Sequence, residues 1–328
     1  MTKKPTIVSG VQPTGNLHIG NYLGAVKNFV DLQNSGKYEM YIFIADLHSL
    51  TSNMTAEERK QQIILSATEL IAAGIDPKKT TLFIQSHIQE HAELSWILNC
   101  VTPISELYRM TQFKDKSERQ EKNINSGLLT YPILQAADIL LYHGSLVPVG
   151  QDQVQHVELT RDIARWFNNR YGEYFPETKH LLTQVPKVMS LLEPEKKMSK
   201  SLGAGHVIEL ADEPEVIEKK LKKAVTATVG GGEALGVKNL LMLLHHFGNE
   251  DIYSNLEQLE RMSKISYSDL KEAVTEAISK HFADFRVKRA KLLSNHNKLA
   301  DTLINGAKKA QEVASKTAME VRKLVGLR

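Results

Sequence analysis

Short apolar runs alternate with stretches of helical period along the first part of the chain. Thr6–Val11, Met40–Ala45 and Thr81–Gln85 have the length and composition of buried strands. Between the first two, Ile19, Leu23, Val26 and Val30 recur at helical spacing and predict a helix to about Gly36; further helices are predicted over Ala56–Ala73 and Ala92–Cys100. Thr55 and Glu58 form a capping box ahead of the second helix, and Gly74 stops it. Repeated strand–helix units imply a parallel sheet with helices on both faces, and ligands of such sheets lie beyond the carboxyl ends of the strands. The turn around His18 and the segment Asp46-Leu47-His48 fall at those ends.

Residues 103–170 read as helical, interrupted by the strand-like Leu146–Val149, and are predicted to be an insertion. Beyond Asp212 apolar residues keep helical spacing, as in Leu240, Leu243, Leu244, Phe247 and in Val313, Thr317, Val321, Leu324. An all-helical second domain is therefore expected after a break near residue 205. Gly230-Gly231-Gly232 has no strand before it and reads as a flexible connection.

With 328 residues the chain is long enough for two domains. Its one cysteine, Cys100, excludes a disulfide framework within one chain and, lying on the apolar stretch Leu94–Val101, is expected to be a small core residue. No stretch reaches the ~20 apolar residues of a membrane span, and Met1–Pro5 leads into a strand without a signal-peptide apolar region, so a cytoplasmic protein is expected. Net charge is only +3, but residues 213–328 hold 20 Lys/Arg against 15 Asp/Glu, whereas residues 1–212 hold 21 against 23. The clusters Lys219–Lys223 and Arg286–Lys291 could contact phosphates, or could be the solvated faces of ordinary helices.

Two segments carry candidate chemistry. Gly15-Asn16-Leu17-His18-Ile19-Gly20-Asn21 lies on a strand-to-helix turn, where free N–H groups and the helix dipole favour an anion. Gly10, Gly15 and Gly20 are small enough to let a nucleotide approach, His18 can donate to phosphate and Asn21 to ribose or phosphate. Gly10 to Gly15 has Walker A spacing, but Asn16-Leu17 stands where Lys and Ser/Thr belong. The second segment, Lys197-Met198-Ser199-Lys200-Ser201, sits between Pro194 and Gly203 in a loop context where two lysines can reach a triphosphate as point charges.

Paired in this order, the segments resemble the HIGH and KMSKS hallmarks of the class I aminoacyl-tRNA synthetases. The second is letter-perfect; the first ends in Asn21, a departure typical of one branch. Gln12-Pro13-Thr14-Gly15, Met110-Thr111-Gln112-Phe113-Lys114, Ala136-Ala137-Asp138-Ile139-Leu140, Val149-Gly150-Gln151-Asp152-Gln153 and Met189-Ser190-Leu191 look like the tryptophanyl-tRNA synthetases, from about residue 6 to the C-terminus. The resemblance implies an α/β fold: a doubly wound parallel-sheet (Rossmann-like, HUP-type) catalytic domain over 1–205 with a helical insertion at about 103–170 for amino-acid recognition, then an all-α tRNA anticodon-binding domain over 206–328. It implies ATP and L-tryptophan as substrates, Mg2+ as a partner ion without dedicated protein ligands, tRNA(Trp) as acceptor, and a homodimer. His18, Asn21, Lys114, Lys197 and Lys200 would stabilise charge on the phosphates. Gln12, Pro13, Thr14, Gly20, Gly150, Gln151, Asp152, Val188, Met198, Ser199 and Ser201 would complete the ATP site, with Asp152 on ribose. His48, Tyr131, Gln135, Asp138, Val147 and Val149 would form the tryptophan pocket.

Asp138 lies in the apolar run Ile133–Tyr142, and a carboxylate there is costly to bury without a donor. Capping or pairing with a nearby Arg or Lys is the structural reading; by resemblance it accepts the indole N–H, and a site built so rejects phenylalanine. Tyrosine competes, since a phenol O–H satisfies the same group, and Gln135 stands where many tryptophan enzymes carry methionine and tyrosine enzymes often carry glutamine. Ala137-Asp138-Ile139 and Asp152-Gln153 followed by His156 fit tryptophan better. The alternatives are a tyrosine–tRNA ligase or a catalytically silent synthetase-like RNA-binding protein.

Overall fold

The computed structural model describes residues 4–112, 125–182, 186–226 and 234–327. In chain order the strands are β1 (Thr6–Val11), β2 (Glu39–Ile44), β3 (Thr81–Ile84), β4 (Leu146–Val149) and β5 (Lys179–Leu182). The helices are α1 (Ile19–Asn21), α2 (Lys27–Ser35), α3 (Asp46–Ser49), α4 (Ala56–Ala72), α5 (Glu90–Asn99), α6 (Ile104–Tyr108), α7 (Ser126–Leu140), α8 (Val154–Tyr171), α9 (Pro214–Lys223), α10 (Leu235–Phe247), α11 (Glu250–Arg261), α12 (Tyr267–His281), α13 (Ala283–Leu293) and α14 (His296–Val325). A π-helical turn, Tyr22–Val26, joins α1 to α2 within the one helix that the sequence predicts.

Two compact units emerge. The first comprises Met1–Gly15, Asn28–Gln184 and Asn295–Arg328; the second comprises Asn16–Lys27 and Val185–Ser294. The first holds a five-stranded sheet of order β3-β2-β1-β4-β5, with every pairing parallel. This is the doubly wound sheet expected from the strand–helix alternation. β2 is buried along its length after Glu39, as a strand covered on both faces must be. Tyr41, Phe43 and Phe83 pack there with Leu94, Leu98, Ile133, Leu140 and Ile163. At the start of α4 the capping box forms as read: Thr55 Oγ1 accepts from Glu58 N–H and Glu58 Oε2 from Thr55 N–H. Gly74 follows at φ +119°, a left-handed stop.

Three expectations change, and one strand appears that none foresaw. Residues 103–170 are not simply an insertion, because β4 pairs with β1 and β5 and so builds the second half of the sheet. β5 itself has no clear sequence signal: Lys179-His180-Leu181-Leu182 is short and nowhere fully buried. Cys100 is exposed, because it caps the end of α5 rather than lying on the buried face. The contact units also cut across a division near 205, since α14 belongs to the sheet unit. Gly306 of α14 sits so close to β3 that a Cβ there would come within 1.8 Å of the Leu82 carbonyl oxygen, and Arg322 Nε donates to Glu93 Oε1 of α5 at 2.7 Å. Small residues Ala310 and Ala314 continue the buried stripe.

The second unit is helical apart from short extended pairings, with α12 packed against α9 and α10. No helix among the described residues is long and apolar enough to cross a membrane. Gly230–Gly232 lies outside the described residues.

Candidate active site

In the sheet unit a polar network converges on Asp138. Residues Tyr131, Gln135, Asp138 and Tyr142 follow helical spacing along α7 and its end, which puts them on one face. The Asp138 carboxylate is almost completely buried. Its Oδ1 accepts from Gln85 Nε2 at 2.7 Å and lies 2.6 Å from His91 Nδ1; its Oδ2 lies 2.7 Å from His48 Nε2. Burial pushes the Asp138 pKa up, but the His48 and His91 contacts outweigh it and hold the group below the ordinary aspartate value. The Arg or Lys partner that a purely structural carboxylate would take is absent from these contacts, and two histidines and a glutamine stand in its place.

Backbone geometry fixes those donors. α3 begins just past the end of β2 and carries His48. Gln85 ends the apolar run of β3, and its Oε1 accepts from Leu47 N–H at 3.1 Å, which turns Nε2 toward Asp138. Asp46 accepts from Ser86 N–H at 2.9 Å and so ties α3 to the turn after β3. Tyr131 Oη lies 2.9 Å from His156 Nε2, and burial pushes the phenol up to about 12. Val147 is buried with Ile139 and Val157, and Val149 packs on that group. Gln135 is half-buried on the Asp138 face. Gln12, Thr14, Gln151 and Asp152 are exposed and Pro13 is buried; Gly150 precedes the turn Gln151–Gln153. A Cβ on Gly10 would lie 2.6 Å from Phe43 Cε2, so ring packing is what requires that glycine.

The second unit brings the two signature segments together. Leu17–Ile19 and Ile208–Leu210 run antiparallel, with Ile19 N–H donating to Ile208 O at 3.0 Å and Leu210 N–H to Leu17 O at 2.9 Å. Asn16 Nδ2 donates to Glu209 Oε2 at 2.6 Å. Lys200 Nζ donates to the Asn16 carbonyl oxygen and stands 3.9 Å from Glu209 Oε1. Met198 is buried and its N–H donates to Val188 O at 2.9 Å, which pins the middle of the lysine segment. Val188, itself buried, thus acts on the segment through its backbone. Lys197 is exposed, and Ser199 Oγ lies 2.8 Å from Ser201 Oγ.

His18 is buried, and its Nδ1 has no hydrogen-bond partner among the described residues. Burial, followed by the Lys200 charge, lowers its pKa to about 4, so the ring is neutral. Asn21 Oδ1 accepts from His18 N–H at 3.2 Å and steadies the turn. A Cβ on Gly20 would lie 2.9 Å from His18 Cε1, so the glycine makes room for the imidazole itself. Lys114 lies outside the described residues.

Sequence reasoning missed Gln85, His91 and Glu209. A polar residue closing a buried strand is a signal that could have found Gln85; His91 and Glu209 carry none, because their partners are remote in sequence. Of the basic clusters, Lys220 is tied to Asp212 at 2.6 Å and Arg286 donates to Ser279 O at 2.7 Å, so these two serve packing. Lys219, Lys222, Lys223, Lys288 and Lys291 face outward.

Residues 1–283 match the family described as tRNA synthetases class I (W and Y). A tryptophan–tRNA ligase of Clostridium acetobutylicum is 44% identical over 98% of this chain and 97% of its own length. One from Wolinella succinogenes is 43% identical over 99% of both. The tryptophanyl-tRNA synthetase of Campylobacter jejuni, solved with ADP and tryptophan, superposes with a TM-score of 0.86 at 33% identity, covering 98% of this chain and 100% of that one. With matches of this length, on a parallel sheet of the expected order and with both signature segments in place, the chain belongs to the class I tRNA synthetases, in their tryptophan–tRNA ligase family.

Proposed function

We propose that the chain performs ATP-dependent tryptophan–tRNA ligation with two groups of side chains, one choosing the amino acid and one handling phosphate. The activity is that of a tryptophan–tRNA ligase: L-tryptophan and ATP give tryptophanyl-adenylate and pyrophosphate, and the tryptophanyl group then passes to the 3′-terminal adenosine of tRNA(Trp). The observation that carries the choice of amino acid is Asp138. It is a buried, ionised carboxylate with three donors in place and lone-pair capacity left for one more, and the indole N–H takes that place. Phenylalanine would leave that lone pair unfilled. His48, Tyr131, Gln135, Val147 and Val149 shape the surrounding pocket.

In the first step the tryptophan carboxylate attacks the α-phosphorus and pyrophosphate leaves, so negative charge spreads over the phosphates. Preorganised donors and cations meet it. His18, with its free ring nitrogen, Asn21, Lys197 and Lys200 take this part, and Lys114 joins them by family pattern. Gln12, Pro13, Thr14, Gly20, Met198, Ser199 and Ser201 hold ATP with Gly150, Gln151, Asp152 and Val188, and Asp152 accepts from the ribose hydroxyls. Mg2+ accompanies the phosphates. Its ligands on this reading are chiefly phosphate oxygens and water.

The helices after residue 205 serve the tRNA, with the outward lysines of α9 and α13 on its phosphates. A homodimer is supported by Trp96, Ile104 and Tyr108, large apolar side chains exposed on the consecutive helices α5 and α6. The work is done in the cytoplasm, where the tRNA is. ATP–pyrophosphate exchange without tRNA, run with tryptophan, tyrosine and phenylalanine, tests the reading. Exchange with tryptophan alone is expected; exchange with tyrosine would overturn the substrate, and no exchange at all would leave a silent RNA-binding protein.

A further inference from the structure

We infer that His91 and Tyr142 are positioning residues that set the acceptor direction of Asp138, and through it the preference for an amino acid bearing a ring N–H. The inference rests on the reading of Asp138 as the indole acceptor. Neither residue belongs to the sequence-derived pocket, and both are buried, His91 fully.

The chain of contacts is directional. His91 Nδ1 lies 2.6 Å from Asp138 Oδ1, and a carboxylate can only accept, so Nδ1 carries the proton. In the neutral ring Nε2 is then the acceptor, and Tyr142 Oη, 2.8 Å away, donates to it. The Tyr142 hydroxyl thereby fixes the tautomer in which His91 can serve Asp138. Tyr41 stacks on Tyr142 with ring centroids 4.7 Å apart, and Phe83 meets it edge-on at 5.7 Å, which holds the phenol in place. Phe43 lies 5.7 Å from His91 by ring centroids and closes the other side.

This arrangement fills one oxygen and leaves a lone pair on the other. Gln85 and His91 both donate to Oδ1, whereas among the described residues Oδ2 has only His48. Without His91 the carboxylate loses one of its three donors, and its plane is then held by Gln85 and His48 alone. The open lone pair would then no longer be held where a ring N–H arrives, because a charge-assisted hydrogen bond depends on geometry as well as proximity. The network joins Asp138 to His91, Tyr142, Gln85 and His48 and includes neither His18 nor Lys200, so the effect falls on choice of amino acid.

Tryptophan is compared with β-(3-benzothienyl)alanine, which replaces the ring N–H by sulfur, in ATP–pyrophosphate exchange. The wild-type protein is expected to favour tryptophan in kcat/KM by about a hundredfold, the scale of a buried acceptor left unpaired. His91→Phe should reduce that preference by about tenfold, mainly through a raised KM for tryptophan, while the sulfur analogue changes little. His91→Asn places an amide donor near the Nδ1 position and should restore most of the preference. Tyr142→Phe, which removes a single oxygen, should reduce it by about threefold and carries the test if His91→Phe does not fold. Equal losses for both substrates in His91→Phe, or an unchanged preference in folded His91→Phe or Tyr142→Phe, would overturn the inference alone. If the wild type and Asp138→Asn both treat the two amino acids alike, the reading of Asp138 falls and takes the inference with it.

Discussion

Asp138 in the sheet unit and His18 in the helical unit are both buried polar groups, but they are completed to different degrees. Both oxygens of Asp138 have donors, drawn from three separate elements, whereas His18 Nδ1 has no partner among the described residues. A carboxylate that discriminates between ring systems must be rigid before the ligand arrives, since its value lies in what it refuses. A group that meets charge developing during a reaction can remain unfilled, because its partner appears only then. The same contrast extends to the supports. Gln85 is oriented by a backbone N–H, while Lys200 donates to the Asn16 carbonyl and lies near Glu209.

The contrast breaks most visibly at Lys200. Lys200→Ala should lower kcat for pyrophosphate exchange by about a hundredfold or more, with ATP dissociation changed far less, as measured by exchange kinetics and equilibrium binding. Equal losses in both would remove its transition-state role. Asp138→Asn comes next: KM for tryptophan should rise by about ten- to a hundredfold while kcat falls less, reversing the kinetic pattern of Lys200→Ala. Gly20→Ala probes the turn itself. Its Cβ displaces the His18 ring, so exchange should slow by about tenfold with KM for tryptophan unchanged.

The smallest effect separates the two groups by pH. The His18 pKa is depressed to about 4 in the folded protein, so the unfolded chain binds the proton first. Its contribution to stability is therefore fully present above about pH 6.5 and is lost progressively as pH falls toward 4. Asp138 is also depressed, but from the ordinary carboxylate value, so its contribution is lost only at more acidic pH. Thermal melts of the wild type and His18→Gln should converge between pH 6.5 and 4, whereas Asp138→Asn should keep its difference down to about pH 5 and lose it only below that. Parallel curves for His18→Gln would show that the ring is not held neutral by burial.

Much of this molecule is legible along the chain. Periodicity gives β1 to β3, α4 and the helical C-terminal part, because each rests on local spacing and on a cap such as Thr55 with Glu58. β5 escapes because a half-exposed tetrapeptide has too little pattern to distinguish it from a loop. Cys100 misleads for a related reason: an apolar neighbourhood in sequence does not say which side of a helix end faces solvent. The two signature segments and Asp138 stand out as residue types placed where packing alone does not ask for them.

The alternation of elements, the parallel sheet it requires and the presence of the two signature segments follow from the chain alone, since these depend on neighbours a few residues apart. Tertiary structure alone decided that β4 lies inside the sheet and that α14 returns to β3 through Gly306. It also decided that Gln85, His48 and His91 meet at Asp138. Those partners are separated from it by 53, 90 and 47 residues, and no local spacing encodes a hydrogen bond closed over such lengths of chain.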